Sequence, residues 1–105
     1  MSYIKFGLRM INVKIECLID EIDMDIDFTK NRLEMREKDL KEAEKEYEQE
    51  RGNKGTKFLS KMRYESLVDE SNEKIKELER YKEKLTVIKA DLEKMEGDIE
   101  GDTDE

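Results

Sequence analysis

The chain has 105 residues, 48% of them charged and 35% hydrophobic, with no proline, tryptophan or histidine and a net charge of −8. That length allows one domain, and so little apolar surface cannot fill a thick globular core. It suits helices that each bury a single stripe. With no histidine, one cysteine and no Gly-rich phosphate loop, the usual general base, the imidazole metal ligands and the Cys–His nucleophile pair are all missing. The composition therefore argues against an enzyme and calls for no cofactor.

Residues 1–10 alternate Ile4, Phe6, Leu8 and Met10 with polar or small residues. The period of two predicts a short apolar strand, which would need a partner such as the same segment of another copy, or else a frayed apolar arm. Residues 11–28 carry two patterns at once. Ile22, Met24, Ile26 and Phe28 alternate strictly with aspartates, as in a strand. Ile11, Ile15, Leu18, Ile19, Ile22 and Ile26 also form a helical stripe. Length decides for helix, because a start near Asn12, an acceptable N-cap, gives two arms of about 40 residues, or about 60 Å each.

Between the arms lies Arg51-Gly52-Asn53-Lys54-Gly55-Thr56, the only glycine-bearing break between Leu8 and Glu96. Two glycines around Asn-Lys, followed by threonine, combine a helix stop, a turn and a helix start. The fold expected is all-α, an antiparallel two-helix hairpin of coiled-coil type. The first helix is expected over 11–51, the turn over 52–56 and the second helix over 57–96, followed by an acidic disordered tail over 97–105.

The first helix offers Ile19, Ile22, Ile26, Thr29, Leu33, Arg36, Leu40, Ala43 and Tyr47 at steps of three and four. The second offers Tyr64, Leu67, Ser71, Ile75, Leu78, Tyr81, Leu85, Ile88, Leu92, Met95 and Ile99. Folding at the turn brings together positions whose numbers total about 107, so that Ile22 faces Leu85, Ile19 faces Ile88 and Ile15 faces Leu92. The start of the first helix holds more apolar surface than one partner can cover. Ile11, Val13, Ile15, Leu18, Ile19, Ile22, Met24, Phe28 and Met35 are the expected interface. Assembly into a helical bundle follows, with a homodimer the default and larger species open. Cys17, in an apolar helical segment, is expected to be packed, and a lone cysteine suggests a reducing compartment.

Residues 16–27 carry six acids and no cation. Within and beyond them, Asp23, Asp25, Asp27, Asn31 and Glu34 stand at positions 1, 3, 5, 9 and 12 of a twelve-residue stretch, which in that spacing resembles an EF-hand calcium loop. Phe28 occupies the position where the loop's turn needs glycine, and Lys30 one where an aliphatic residue is expected. An acidic solvent-facing surface is the stronger reading. The acidic blocks could otherwise imitate a nucleic-acid backbone and occupy the basic groove of another protein. No basic patch supports direct nucleic-acid binding, and charges interrupt every apolar run, so no membrane span is expected.

The functional expectation is a non-enzymatic oligomeric coiled-coil module that binds itself and another protein as adaptor, scaffold or inhibitor. It is expected in the cytoplasm of a bacterium or of a virus-infected cell. The alternatives are an acidic decoy of a nucleic-acid-binding or defence protein, of the kind phages and mobile elements carry, sequestration of a ligand between subunits, and a calcium-responsive helical protein.

Overall fold

In the computed structural model, residues 3–49 and 54–100 are described. They form two α-helices of 47 residues each, α1 (Tyr3–Gln49) and α2 (Lys54–Glu100), folded as an antiparallel hairpin. Among the described residues there is no strand. The hairpin is the expected fold, but its bounds differ from the expected ones. Tyr3 to Met10 continue α1 instead of forming a strand or arm. The reason is that Leu8 lies seven residues before Ile15, so the helical stripe runs on upstream and Leu8 is buried. Asn12 is accordingly an interior residue of α1 and not its cap, and residues 22–28 are helical too. The expected turn over 52–56 begins outside the described residues, while Gly55 and Thr56 already belong to α2. Most of the expected tail also lies outside them, though helix persists to Glu100.

Neither helix has an acid in its first turn or a base in its last, so the macrodipoles receive no support at the ends. Stability rests on the seam between the helices. Labelling the heptad with a at Asn12 and Ile19 in α1, and at Lys82 and Lys89 in α2, assigns every seam residue to a or d. The hairpin packs as two units, Met1–Asp25 with Leu78–Glu105, and Ile26–Glu77.

In the first unit the seam of α1 is Lys5, Leu8, Asn12, Ile15, Ile19 and Ile22. That of α2 is Leu78, Lys82, Leu85, Lys89, Leu92, Glu96 and Ile99, and all of these are buried or half-buried. Three ion pairs cross it at heptad intervals. Asp23 Oδ1 meets Lys82 Nζ at 2.7 Å, Glu16 Oε1 meets Lys89 Nζ at 3.4 Å, and Arg9 Nε donates to Glu96 Oε1. The residue numbers of each pair total 105, against the expected 107, so the register differs from the one that maximises apolar pairing. Tyr81, Ile88 and Met95, expected in the seam, lie outside it at 49%, 45% and 50% exposure. Their neighbours Lys82, Lys89 and Glu96 take the a positions. The cause is twofold. Helix α2 starts at Lys54 and not at 57, which moves the fold-back point earlier. Lysine can also lay its aliphatic stem in a seam while its ammonium reaches a carboxylate at the edge.

The second unit is a plainer two-stranded seam. Ile26, Thr29, Ala43, Ser71 and Ile75 are buried, with Leu33, Leu40, Tyr64 and Val68 half-buried. Arg36 occupies a d position and is satisfied across the seam: its Nη1 donates to the Leu67 carbonyl at 2.9 Å and to Ser71 Oγ at 2.6 Å. Near the end of α1, Tyr47 packs against Phe58 with ring centroids 6.0 Å apart, and Lys61 Nζ stands 5.2 Å from the Tyr47 centroid. Such a cation–π contact is worth about 0.5–1 kcal/mol at an exposed site.

Candidate protein-interaction face

In an antiparallel pair, e rows flank one side of the seam and g rows the other. In the first unit the two flanks have opposite character. The e rows are Arg9, Glu16 and Asp23 on α1 and Glu79, Thr86 and Glu93 on α2, polar throughout. Lys89 Nζ also lies 3.9 Å from Glu93 Oε1, and Thr86 Oγ1 donates to the Lys82 carbonyl at 2.8 Å, so this flank is internally engaged. The g rows are Ile4, Ile11, Leu18 and, at the edge of the unit, Asp25 on α1 and Tyr81, Ile88 and Met95 on α2. Six apolar side chains from two helices thus line one flank, all of them exposed. Because the rows recur every seven residues, they keep the same bearing to the seam and form one stripe.

The apolar surface extends beyond this flank on α1. Phe6 and Val13 at b, with Met10 and Met24 at f, are exposed as well. Cys17, expected to be packed, stands at f between those methionines and is exposed, because the seam positions on either side of it are Ile15 and Ile19. Of the expected interface residues, Ile15 is buried and Ile19 and Ile22 are half-buried in the seam, whereas Ile11, Val13, Leu18 and Met24 are exposed on the first unit. Phe28 and Met35 are exposed on the second unit, where the Arg32 guanidinium covers one ring face of Phe28 at 4.9 Å. The g rows of the second unit are Arg32, Asp39 and Glu46 against Ser60, Leu67 and Lys74, so no comparable stripe exists there.

Sequence reasoning missed Tyr81, Ile88 and Met95 as surface residues because it placed them in the seam. A signal was nevertheless present. Lys82, Lys89 and Glu96 repeat every seven residues and are matched in reverse order by Asp23, Glu16 and Arg9, three opposite charges at the same interval. Lys5 and Asn12 are the polar seam residues that α1 contributes to this unit, and Asn12 is the uncharged one. Its Oδ1 is buried without a hydrogen-bond partner among the described residues, and a polar residue at one a position sets register at some cost in stability.

The calcium-loop spacing does not become a loop. Asp23, Asp25, Asp27, Asn31 and Glu34 lie on uninterrupted α1, where Asp23 and Glu34 are about 16 Å apart along the axis, and Asp23 is engaged by Lys82. Among the described residues no three His, Cys, Asp or Glu side chains are grouped to hold a metal ion. No helix is long and apolar enough to cross a membrane, among the same residues. Comparison of the chain with protein-family models, curated proteins and solved structures finds no match.

Proposed function

We propose that this protein is a non-enzymatic coiled-coil interaction module, acting as adaptor, scaffold or inhibitor, whose working surface is the apolar flank of the first unit. One observation carries the reading. In the first unit the g rows of both helices are apolar apart from Asp25, beside a seam whose a row is largely polar. In the second unit the g rows are polar apart from Leu67, and the exposed apolar residues Phe28, Met35, Phe58, Leu59 and Met62 are scattered over other rows. An a/d pattern suffices for a two-stranded seam, and an added g row is the pattern of a helix that packs against further helices. A stripe of this size at the protein surface marks an interaction site. An exposed thiol at Cys17 on the same helix fits a reducing, cytoplasmic setting.

The acidic-decoy reading draws less support, since Glu16 and Asp23 from the acidic block are already paired with lysines. A photo-crosslinking residue tests the module directly. Placed at Leu18 in the full chain within its native cell, it should give discrete protein adducts, and placed at exposed Glu73 on the second unit it should give none. No adduct at Leu18, or equal adducts at both sites, would overturn the assignment.

A further inference from the structure

Resting on that reading, we propose that the occupant of the apolar flank is a second copy of this chain, related to the first by a two-fold axis. The argument comes from the charges that border the stripe. On a helical wheel the c row lies immediately outside the g row, and in the first unit it holds Gly7, Lys14 and Glu21 on α1 and Lys84, Asp91 and Asp98 on α2. Asp98 lies level with the uncharged Gly7, which leaves four charges at matched levels, Lys14, Glu21, Lys84 and Asp91. All four are exposed, and none forms an ion pair with a described residue.

These charges are complementary to themselves under a two-fold operation. Let the axis run along the helices, so that α1 lies over α2 of the second copy. Lys14 then faces Asp91 and Glu21 faces Lys84, since the numbers of each pair total 105, as in the three ion pairs across the seam. Let the axis instead cross the helices, so that each lies antiparallel on its own copy. Lys14 then faces Glu21 about a midpoint between residues 17 and 18. Lys84 likewise faces Asp91 about a midpoint between 87 and 88. Those two midpoints stand at one level of the unit, because 17.5 and 87.5 also total 105.

Either axis gives four opposite-charge contacts around an apolar centre built from Ile11, Leu18 and Ile88. An unrelated partner would impose no such symmetry on the row, whereas isologous pairing requires a patch that is its own complement. The product is a four-helix bundle in which every neighbouring helix is antiparallel.

The test is light scattering coupled to size-exclusion chromatography on the full chain at micromolar concentration. The expected mass is twice the 12.6 kDa of one chain. An all-acidic variant, Lys14→Glu with Lys84→Glu, and an all-basic variant, Glu21→Lys with Asp91→Lys, should each self-associate about tenfold to a hundredfold more weakly. Mixed together they should recover a dimer containing one of each. The substituted side chains are exposed, so circular dichroism should report unchanged helix content in both and separate lost assembly from lost folding. A wild-type chain that stays at 12.6 kDa overturns the proposal; crosslinks from Leu18 to a different protein would then leave the module intact with a foreign occupant. An assembly whose affinity neither charge variant alters overturns it as well.

Discussion

The register of the first unit is the structural claim most open to a direct chemical test. Pairing by charge ladder sets Ile19 level with Leu85, whereas pairing by apolar content alone sets Ile19 against Ile88. The two differ by three residues of α2, about 4.5 Å along the axis at 1.5 Å per residue. They also differ in bearing, because Leu85 is half-buried in the seam and Ile88 is 45% exposed on the g flank. With helix axes about 8–10 Å apart, facing seam positions bring their Cα atoms within the roughly 7 Å that a disulfide tolerates. A flank residue one turn further on does not.

In a Cys17→Ser background, Ile19→Cys with Leu85→Cys should oxidise quickly to an intramolecular disulfide. Ile19→Cys with Ile88→Cys should lag at least about tenfold, for the same geometric reason. Closing a loop of about 66 residues should also stabilise the first variant by about 4 kcal/mol on the chain-entropy estimate, seen as a rise in melting temperature that reductant reverses. Non-reducing electrophoresis distinguishes closure within a chain from closure between chains. If the 19–88 pair closes as fast as the 19–85 pair, the ladder does not set the register.

Two further outcomes follow from the seam and from the acidic stretch. Arg36→Leu should lower stability by about 1–2 kcal/mol in urea unfolding, because Ser71, 2% exposed, loses its partner; adding Ser71→Ala should recover most of that loss, since replacing both members of a buried polar pair by apolar groups is close to neutral, and a double variant no better than the single would show that the two residues do not act together. Millimolar calcium should leave the melting temperature unmoved, because α1 continues as helix through Asp23 to Glu34; a saturable rise of several degrees would mean that the segment unwinds to bind the ion.

The hairpin and its antiparallel sense were legible because the evidence for them is redundant in the chain: two apolar stripes at helical steps and one glycine-bearing break. The seam of α1 from Ile19 to Tyr47 was legible in full for the same reason. What escaped was one row of α2: Leu67 in the second unit, where Val68 takes the seam position, and Tyr81, Ile88 and Met95 beyond Leu78. There, hydrophobicity and charge point to adjacent rows: Tyr81, Ile88 and Met95 in one, and Lys82, Lys89 and Glu96 in the next. A rule that ranks positions by apolar content picks the first row. The folded chain takes the second, because the lysine stems can lie in the seam with their charges met by Asp23 and Glu16. The strand expected over residues 1–10 failed on length. Alternation over four apolar residues is a weak signal beside a helical stripe that continues from Leu8 through Ile15 to Ile22.

The same choice of row accounts for both the register and the exposed face. Had Tyr81, Ile88 and Met95 filled the a positions, the α2 side of the first unit's seam would be apolar throughout and its flank charged, a more self-sufficient two-stranded hairpin. With Lys82, Lys89 and Glu96 there instead, and Asn12 on α1, Leu8 and Ile15 are the only buried hydrophobic residues among those described in this unit. An ion pair in a seam specifies alignment better than it stabilises, so the unit gains a defined register and loses apolar burial. The residues displaced by that exchange are the ones that, with Ile4, Ile11 and Leu18, make the stripe. A partner that covers the stripe returns to the unit the burial its own seam lacks, which ties the stability of this end of the hairpin to its assembly.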